Sequence, residues 1–256
     1  MLVLTGPSAI AQNGRAPRQD AETVGVPSVG AFGVERTTAD LMAAQAIAPP
    51  SSSAAWRMMR KKLPDRRNLP QDPSAVAVAS TPVRDANVNE RAPGPRADFA
   101  QSVSMEFTAA TLTDTGAFPP DSMGAVGPTQ FLLFVNGRLR TFNKTTGTAD
   151  GVINIDPDVF FATVMTPPPG PTGLNFTSDP QVRYDRLTHR WMLTIIDVPS
   201  TSAASIGDTP NRLLIAVSDA ASAGVITGGT VWTFYFVQQD TVGGIPSTNE
   251  FLDYDS

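Results

Sequence analysis

The chain has 256 residues, of which 41% are hydrophobic, 17% are charged and none is cysteine. No segment contains the roughly 18 consecutive apolar residues that a membrane-spanning helix needs, and no collagen or heptad repeat is present, so neither a transmembrane segment nor a fibrous structure is expected. The net charge of −5 is too small to indicate a particular partner, and the absence of cysteine excludes disulfides and thiol chemistry.

The N-terminus, MLVLTGPSAIAQ, is a short apolar run that ends in Ala9-Ile10-Ala11. This small-x-small pattern is typical of signal-peptidase cleavage sites. We therefore expect residues 1–11 to be the remnant of a signal peptide, and the mature protein to be extracellular or on the cell surface. The alternative is an ordinary N-terminal tail, because the run lacks the basic residues that usually open a signal sequence.

Residues 12–100 are rich in Ala, Pro, Arg and Ser, a composition that predicts a largely disordered pro-region or linker. Two short helices are predicted within it, one over residues 38–47 and one from Ser53 onward. The second helix continues into a basic run at 57–67, which is more typical of a solvated surface than of a contact with lipid or nucleic acid. No nucleic-acid partner is expected.

Residues 101–256 carry the side chains of a packed core. Of the 13 Phe, 3 Trp and 3 Tyr in the chain, only Phe32, Trp56 and Phe99 precede this part. The formal charge also changes, from +3 over residues 1–100 to −8 over residues 101–256. These shifts predict a domain boundary near residue 100.

Runs of strand length, bounded by Gly, Pro, Asp, Asn or Ser, fill this second part. The strongest signal is Asn136-Gly137, a dipeptide that favours a tight hairpin between strands at 131–135 and 138–143. A short helix is predicted at 157–164. One further strand, at 105–112, is predicted to open the domain. Four more strands are predicted to form an antiparallel meander; they cover residues 181–185, 190–198, 212–218 and 231–238.

An aspartate precedes the start of a strand unit at three places, Asp121, Asp179 and Asp253. These aspartates are 58 and 74 residues apart, which is longer than a propeller blade of about 40–50 residues but compatible with inserted loops. The spacing therefore predicts a repeated sheet unit.

The strings PPDSMGAVGP, FLLFVNG, FNKTTG, SDPQVRYDRLTHRWML, LLIAVSD and VWTFYF together resemble a group of largely uncharacterised secreted bacterial proteins with a β-propeller-like domain. The sheets of that domain are similar to those of sialidase-type propellers. The resemblance covers residues 118–256 and implies an all-β fold of antiparallel four-stranded sheets. In that family the phrase matched by Asp253 and Tyr254 leads into a further blade.

Residues 101–256 have room for only two to three blades, whereas a propeller usually has four to eight. We therefore expect a partial β-propeller-like domain, a fragment of a longer protein, with open sheet edges. A self-contained small β-sandwich is the alternative.

The aspartates at the predicted strand starts are candidate ligand-binding residues. If the sheets repeat around one axis, Asp121, Asp179 and Asp253 converge at one end of it, where carboxylates suit a sugar or a hard cation. Asp121 and Asp179 are the candidate metal ligands; no cofactor is required, and Ca²⁺ is the one ion considered. The sialidase-type resemblance implies a cluster of arginines for a ligand carboxylate, and Arg183 is the candidate first member of that cluster. The competing interpretation is that these aspartates cap turns.

No catalytic residue is assigned from the sequence. His189, the only histidine, is expected in an exposed turn, and Trp191 and Trp232 are expected in the core. We expect a ligand-binding or adhesion module, with a carbohydrate or another surface ligand and the rest of the parent polypeptide as partners. The alternatives are the N-terminal part of a glycoside hydrolase or sialidase-like enzyme, which leaves catalysis open, and a structural spacer domain.

Overall fold

The computed structural model describes residues 32–49 and 105–239, which all lie in one compact unit spanning residues 31–256. No helix in these two ranges is long and apolar enough to cross a membrane. In chain order the elements are β1 (Val34–Thr37), α1 (Thr38–Ile47), α2 (Leu112–Thr115), β2 (Met123–Val126), β3 (Gln130–Val135), β4 (Arg138–Asn143), β5 (Ala149–Ile155), α3 (Pro157–Phe160), β6 (Thr177–Asp185), β7 (Arg190–Asp197), β8 (Arg212–Ser218) and β9 (Val231–Gln238).

The strands form two antiparallel sheets, neither of which closes on itself. The first sheet has the order β2-β3-β4-β5, and the second has the order β1-β9-β8-β7-β6. Each sheet therefore contains a four-stranded meander in simple chain order, and the first strands of the two meanders, β2 and β6, contact each other. The all-β prediction and the predicted meander of β6 to β9 are confirmed.

The hairpin of β3 and β4 forms at the predicted place, with Val135 paired to Arg138 across a two-residue turn. Gly137 takes the left-handed conformation with φ of 79°, which costs glycine little because it has no Cβ. Gly137 thus supplies the turn geometry that the Asn-Gly signal predicted.

One hydrophobic core contains side chains from both sheets. Trp191 and Trp232 are fully buried in it, as expected, and each indole N–H finds an acceptor. The Nε1 of Trp191 donates to the carbonyl of Gly224 at 2.9 Å, and that of Trp232 donates to the hydroxyl of Thr38 at 3.0 Å. These hydrogen bonds remove the cost of burying the two indole donors.

The N-terminal segment adds strand β1 to the second sheet and places helix α1 against β5 of the first sheet. β1 pairs with β9, and the predicted helix at 38–47 is confirmed as α1. Thr37 begins this helix with a capping box, in which its hydroxyl accepts the backbone N–H of Asp40 and the Asp40 carboxylate accepts the backbone N–H of Thr37. Leu41 of α1 is buried in the core. The helix predicted from Ser53 onward lies outside the described residues.

The prediction of a strand at 105–112 is wrong. Residues 105–111 have no regular structure, and Phe107 packs across the first sheet on the rings of Phe131 and Phe142, with centroids 6.0 and 5.1 Å away. Ala109 and Ala110 are half-buried against Leu133, Val135 and Phe142, so the segment packs on a sheet face instead of pairing with a sheet edge.

Element bounds also differ from prediction. The helix predicted at 157–164 ends at Phe160 and continues only as turns. The strand predicted at 181–185 begins four residues earlier, at Thr177, and carries a bulge between Ser178 and Gln181. The strands β1, β2 and β5 were not predicted.

Candidate functional site

Asp121 and Asp179, the two candidate metal and ligand residues within the described ranges, lie on either side of Asn136. The side-chain NH₂ of Asn136 donates to Oδ2 of Asp121 at 2.6 Å and to the carbonyl of Pro119 at 3.1 Å. The backbone N–H of Asp179 donates to Oδ1 of Asn136 at 3.0 Å. We call Asp121, Asn136 and Asp179 the aspartate junction.

Both aspartates hold a backbone conformation that few residue types adopt. The φ angles are 41° for Asp121 and 59° for Asp179, and aspartate tolerates this left-handed region better than most non-glycine residues. Asp121 lies two residues before β2, and Asp179 lies in the bulge of β6. The two residues therefore have similar local roles at the beginnings of the two meanders.

Asn136 is the residue of the junction that the sequence analysis missed as a site residue. It is only 5% exposed, and its backbone N–H donates to the carbonyl of Pro120 at 2.9 Å. Its side-chain amide therefore forms hydrogen bonds with both Asp121 and Asp179, which lie 58 residues apart in sequence. The only sequence signal at this position was the Asn-Gly dipeptide, which reports the turn and not these long-range hydrogen bonds.

The junction offers few ligands for a metal ion. Within residues 32–49 and 105–239, no three His, Cys, Asp or Glu side chains are grouped so that they could hold an ion. Calcium takes six to eight oxygen ligands, and at Asp121 the neighbouring amide presents a donor rather than an oxygen. A calcium role for Asp121 and Asp179 therefore stays a prediction that needs oxygens from beyond the described residues or from water.

The remaining candidates occupy other positions. Arg183 is exposed on β6, and its guanidinium donates to the carbonyl of Val182 at 3.3 Å. Its strand partner is Met192, which places Arg183 on the face of the second sheet that points away from the core. Asp253 lies outside the described residues.

An apolar cavity adjoins the junction. It has a volume of about 490 Å³ and is lined by Leu133 and Val135 of β3, by Phe118 and by Pro120 and Ser122, the two neighbours of Asp121. Phe118 is 53% exposed. An exposed aromatic ring thus lines the same cavity as the two chain neighbours of Asp121.

His189 and Asp185 belong to a surface turn, as predicted for His189. His189 is exposed with φ of 56°, and its Nδ1 lies 3.3 Å from the hydroxyl of Tyr184. The Thr188 hydroxyl and the backbone N–H groups of Leu187 and Thr188 hold the pKa of Asp185 below its ordinary value. These contacts stabilise the turn.

Asp197 is fully buried, and its carboxylate forms hydrogen bonds with residues from three separate segments of the chain. Its carboxylate accepts the backbone N–H of Thr166 at 2.6 Å, the backbone N–H of Arg212 at 2.7 Å and the side-chain amide of Asn175 at 3.0 Å. Asp197 therefore has a structural role in the loops at this end of β7.

Comparison with protein-family models, with curated proteins and with solved structures gives no significant match.

Proposed function

We propose that the described domain is a propeller-like ligand-binding module of an exported or cell-surface protein, and that it binds carbohydrate at the aspartate junction. The observation that carries this proposal is that the hydrogen-bonded Asp121 carboxylate and Asn136 amide adjoin an apolar cavity, whose lining includes the exposed Phe118 and both chain neighbours of Asp121. Carbohydrates present both hydroxyls and apolar ring faces, so their sites combine carboxylates or amides with aromatic surface.

The arrangement of the sheets supports the propeller-like part of the proposal. Both meanders run in chain order, their first strands are neighbours, and the aspartates of the sequence repeat stand at those first strands. The predicted signal at residues 1–11 and the resemblance to secreted propeller-like proteins support export. Loop ends of such sheets are common ligand sites because loops vary without disturbing the strands.

The hydrolase alternative gains less support. A glycosidase needs two carboxyl groups that face the same bond. Asp121 contacts Asn136 through its carboxylate, whereas Asp179 does so through its backbone N–H, so the junction itself brings one carboxyl group, not two, to the Asn136 amide. Arg183, the residue expected to contact a ligand carboxylate, lies on the outer sheet face. Binding without turnover is therefore the function that the geometry supports best.

Titration calorimetry of the full chain against a panel of oligosaccharides tests the proposal. Asp121→Asn keeps an oxygen for the Asn136 amide but removes the charge, and Phe118→Leu keeps apolar volume but removes the ring. We expect each variant to weaken binding about tenfold, because Asp121→Asn loses one charge-assisted hydrogen bond to the ligand and Phe118→Leu loses one stacking contact. The matched controls are Asp208→Asn, at an exposed carboxylate that binds Thr201, and Phe32→Leu, at an exposed ring.

The outcomes separate the functions. Binding that weakens in both junction variants and not in the controls supports the proposal. No binding to any saccharide favours the spacer function, and binding that none of the variants changes places the ligand elsewhere. Release of free sugar during the titration favours the hydrolase.

A further inference from the structure

The second sheet has an outer face, on the side away from the core. One row of paired residues crosses all five strands on this face: Arg183, Met192, Val217, Thr233 and Glu35. Residues that pair directly across antiparallel strands point to the same side of a sheet. The row therefore runs from a positive charge on edge strand β6 to a negative charge on edge strand β1.

The residues that flank this row along the strands point the other way, into the core, which confirms that the row lies on the outer face. Trp191 and Leu193 flank Met192 in β7, and Trp232 and Phe234 flank Thr233 in β9. All four of these flanking residues are core residues with at most 1% exposure. Because side chains alternate along a strand, Met192 and Thr233 point away from the core.

The centre of the outer face is apolar. Met192, Tyr235 and Val237 are each 40% exposed, and Ile215 and Val217 lie between them on β8 in half-buried positions. The corresponding face of the first sheet is covered by Phe107 and its neighbours. Exposed apolar surface gathered on one sheet face and edged by charges is typical of an interaction site.

The charges at the two edges match each other after a two-fold rotation. Glu35 and Arg183 are both exposed and stand four strand spacings apart, or about 19 Å. A two-fold axis that runs parallel to the strands, between two copies of the face, sets Arg183 of each copy opposite Glu35 of the other. The same rotation sets the apolar centres against each other.

We propose that this outer face is a self-complementary interface for a second copy of this chain. The interface is isologous, as in most homodimers, and its two sheets pack face to face at about 10 Å. We expect a reversible dimer of roughly micromolar affinity, the range of small interfaces. The proposal is independent of carbohydrate binding, because the aspartate junction is not part of this face.

Sedimentation velocity of the full chain over roughly 1 to 100 µM tests the interface. We expect a reversible monomer–dimer equilibrium. Glu35→Arg and Arg183→Glu each place like charges opposite each other at two symmetric positions, and each raises the dissociation constant about tenfold. The double variant Glu35→Arg/Arg183→Glu restores the pairs with reversed sign and returns the constant close to that of the wild type.

The matched control is Arg186→Glu, which makes the same charge change at an exposed residue in the turn beyond β6 and leaves the dissociation constant unchanged. Thermal melts confirm that each variant folds. A monomer at every concentration overturns the proposal, and so does a dimer that is insensitive to the single reversals.

The chain's own C-terminal residues 240–256 are the competing occupant of this face. If full-length chain is monomeric but dimerises when Phe251 and Leu252 are both replaced by serine, that segment covers the face, and the proposed interface with a second copy is wrong.

Discussion

At the residue scale, a contact between Gly127 and Trp191 joins the two sheets. A Cβ on Gly127 would lie 2.3 Å from Cζ2 of Trp191, far inside the van der Waals distance. Trp191 is fully buried and hydrogen-bonded through Nε1, so its ring has little room to move. Gly127, the second glycine of GAVGP, is therefore required because the ring of Trp191 lies against it.

Replacing Gly127 with alanine is expected to lower the free energy of unfolding by about 1–3 kcal/mol, the usual cost of overpacking a core. Urea denaturation followed by tryptophan fluorescence measures this loss. Gly228→Ala is the control, because its Cβ would meet only Ala39 at 3.9 Å, and we expect a change within about 0.5 kcal/mol. Equal stability of the two variants would mean that the Trp191 ring can shift.

The aspartate junction shows what the sequence reveals about single residues. The repeat predicted Asp121 and Asp179 as a pair, and the structure brings both to Asn136. Asn136 itself was not predictable, because its partners are distant in sequence and a hydrogen bond between distant segments leaves no local pattern. The same reason explains Asp197, whose partners come from three separate segments.

At the scale of elements, strands with strong local signals were predictable and irregular ones were not. β8 and β9 have the predicted bounds because their apolar runs end sharply. β5 was missed because Gly151, with φ of 75°, interrupts its pattern. β1 was missed because it is short, polar and placed in a segment whose composition predicts a linker; its strand structure depends on pairing with β9.

Helix α1 shows how much this N-terminal segment contributes to the core. Leu41→Ala is expected to destabilise the domain by about 2–5 kcal/mol, because it leaves a cavity at a residue that is only 5% exposed. Ile47→Ala, at the end of the same helix and 86% exposed, is the control and should change stability by less than about 0.5 kcal/mol. Urea denaturation of both variants measures the difference. A small effect of Leu41→Ala would mean that α1 is not part of the cooperative fold.

At the scale of the whole molecule, the two ends of the described domain meet. β1 and α1 come from residues 34–47, whereas their partner β9 is 231–238. The hydroxyl and backbone N–H of Thr38 bond to the carbonyl of Thr230, and the Trp232 indole donates to that same hydroxyl. Composition alone divided the chain near residue 100; these long-range contacts join residues from both sides of that boundary in one core.

This arrangement predicts the result of limited proteolysis. The chain between the described ranges is rich in Ala and Pro and offers trypsin sites in the basic run at 57–67, where its composition predicts easy cleavage. After cleavage there, the fragment that carries β1 and α1 should remain bound to the fragment that carries β2 to β9, because the β1–β9 pairing and Leu41 hold it. We expect the two fragments to elute together in native size-exclusion chromatography and to separate in urea. The Leu41→Ala variant should release its N-terminal fragment sooner than the Ile47→Ala variant, and immediate release from the wild-type protein would contradict the pairing of β1 with β9.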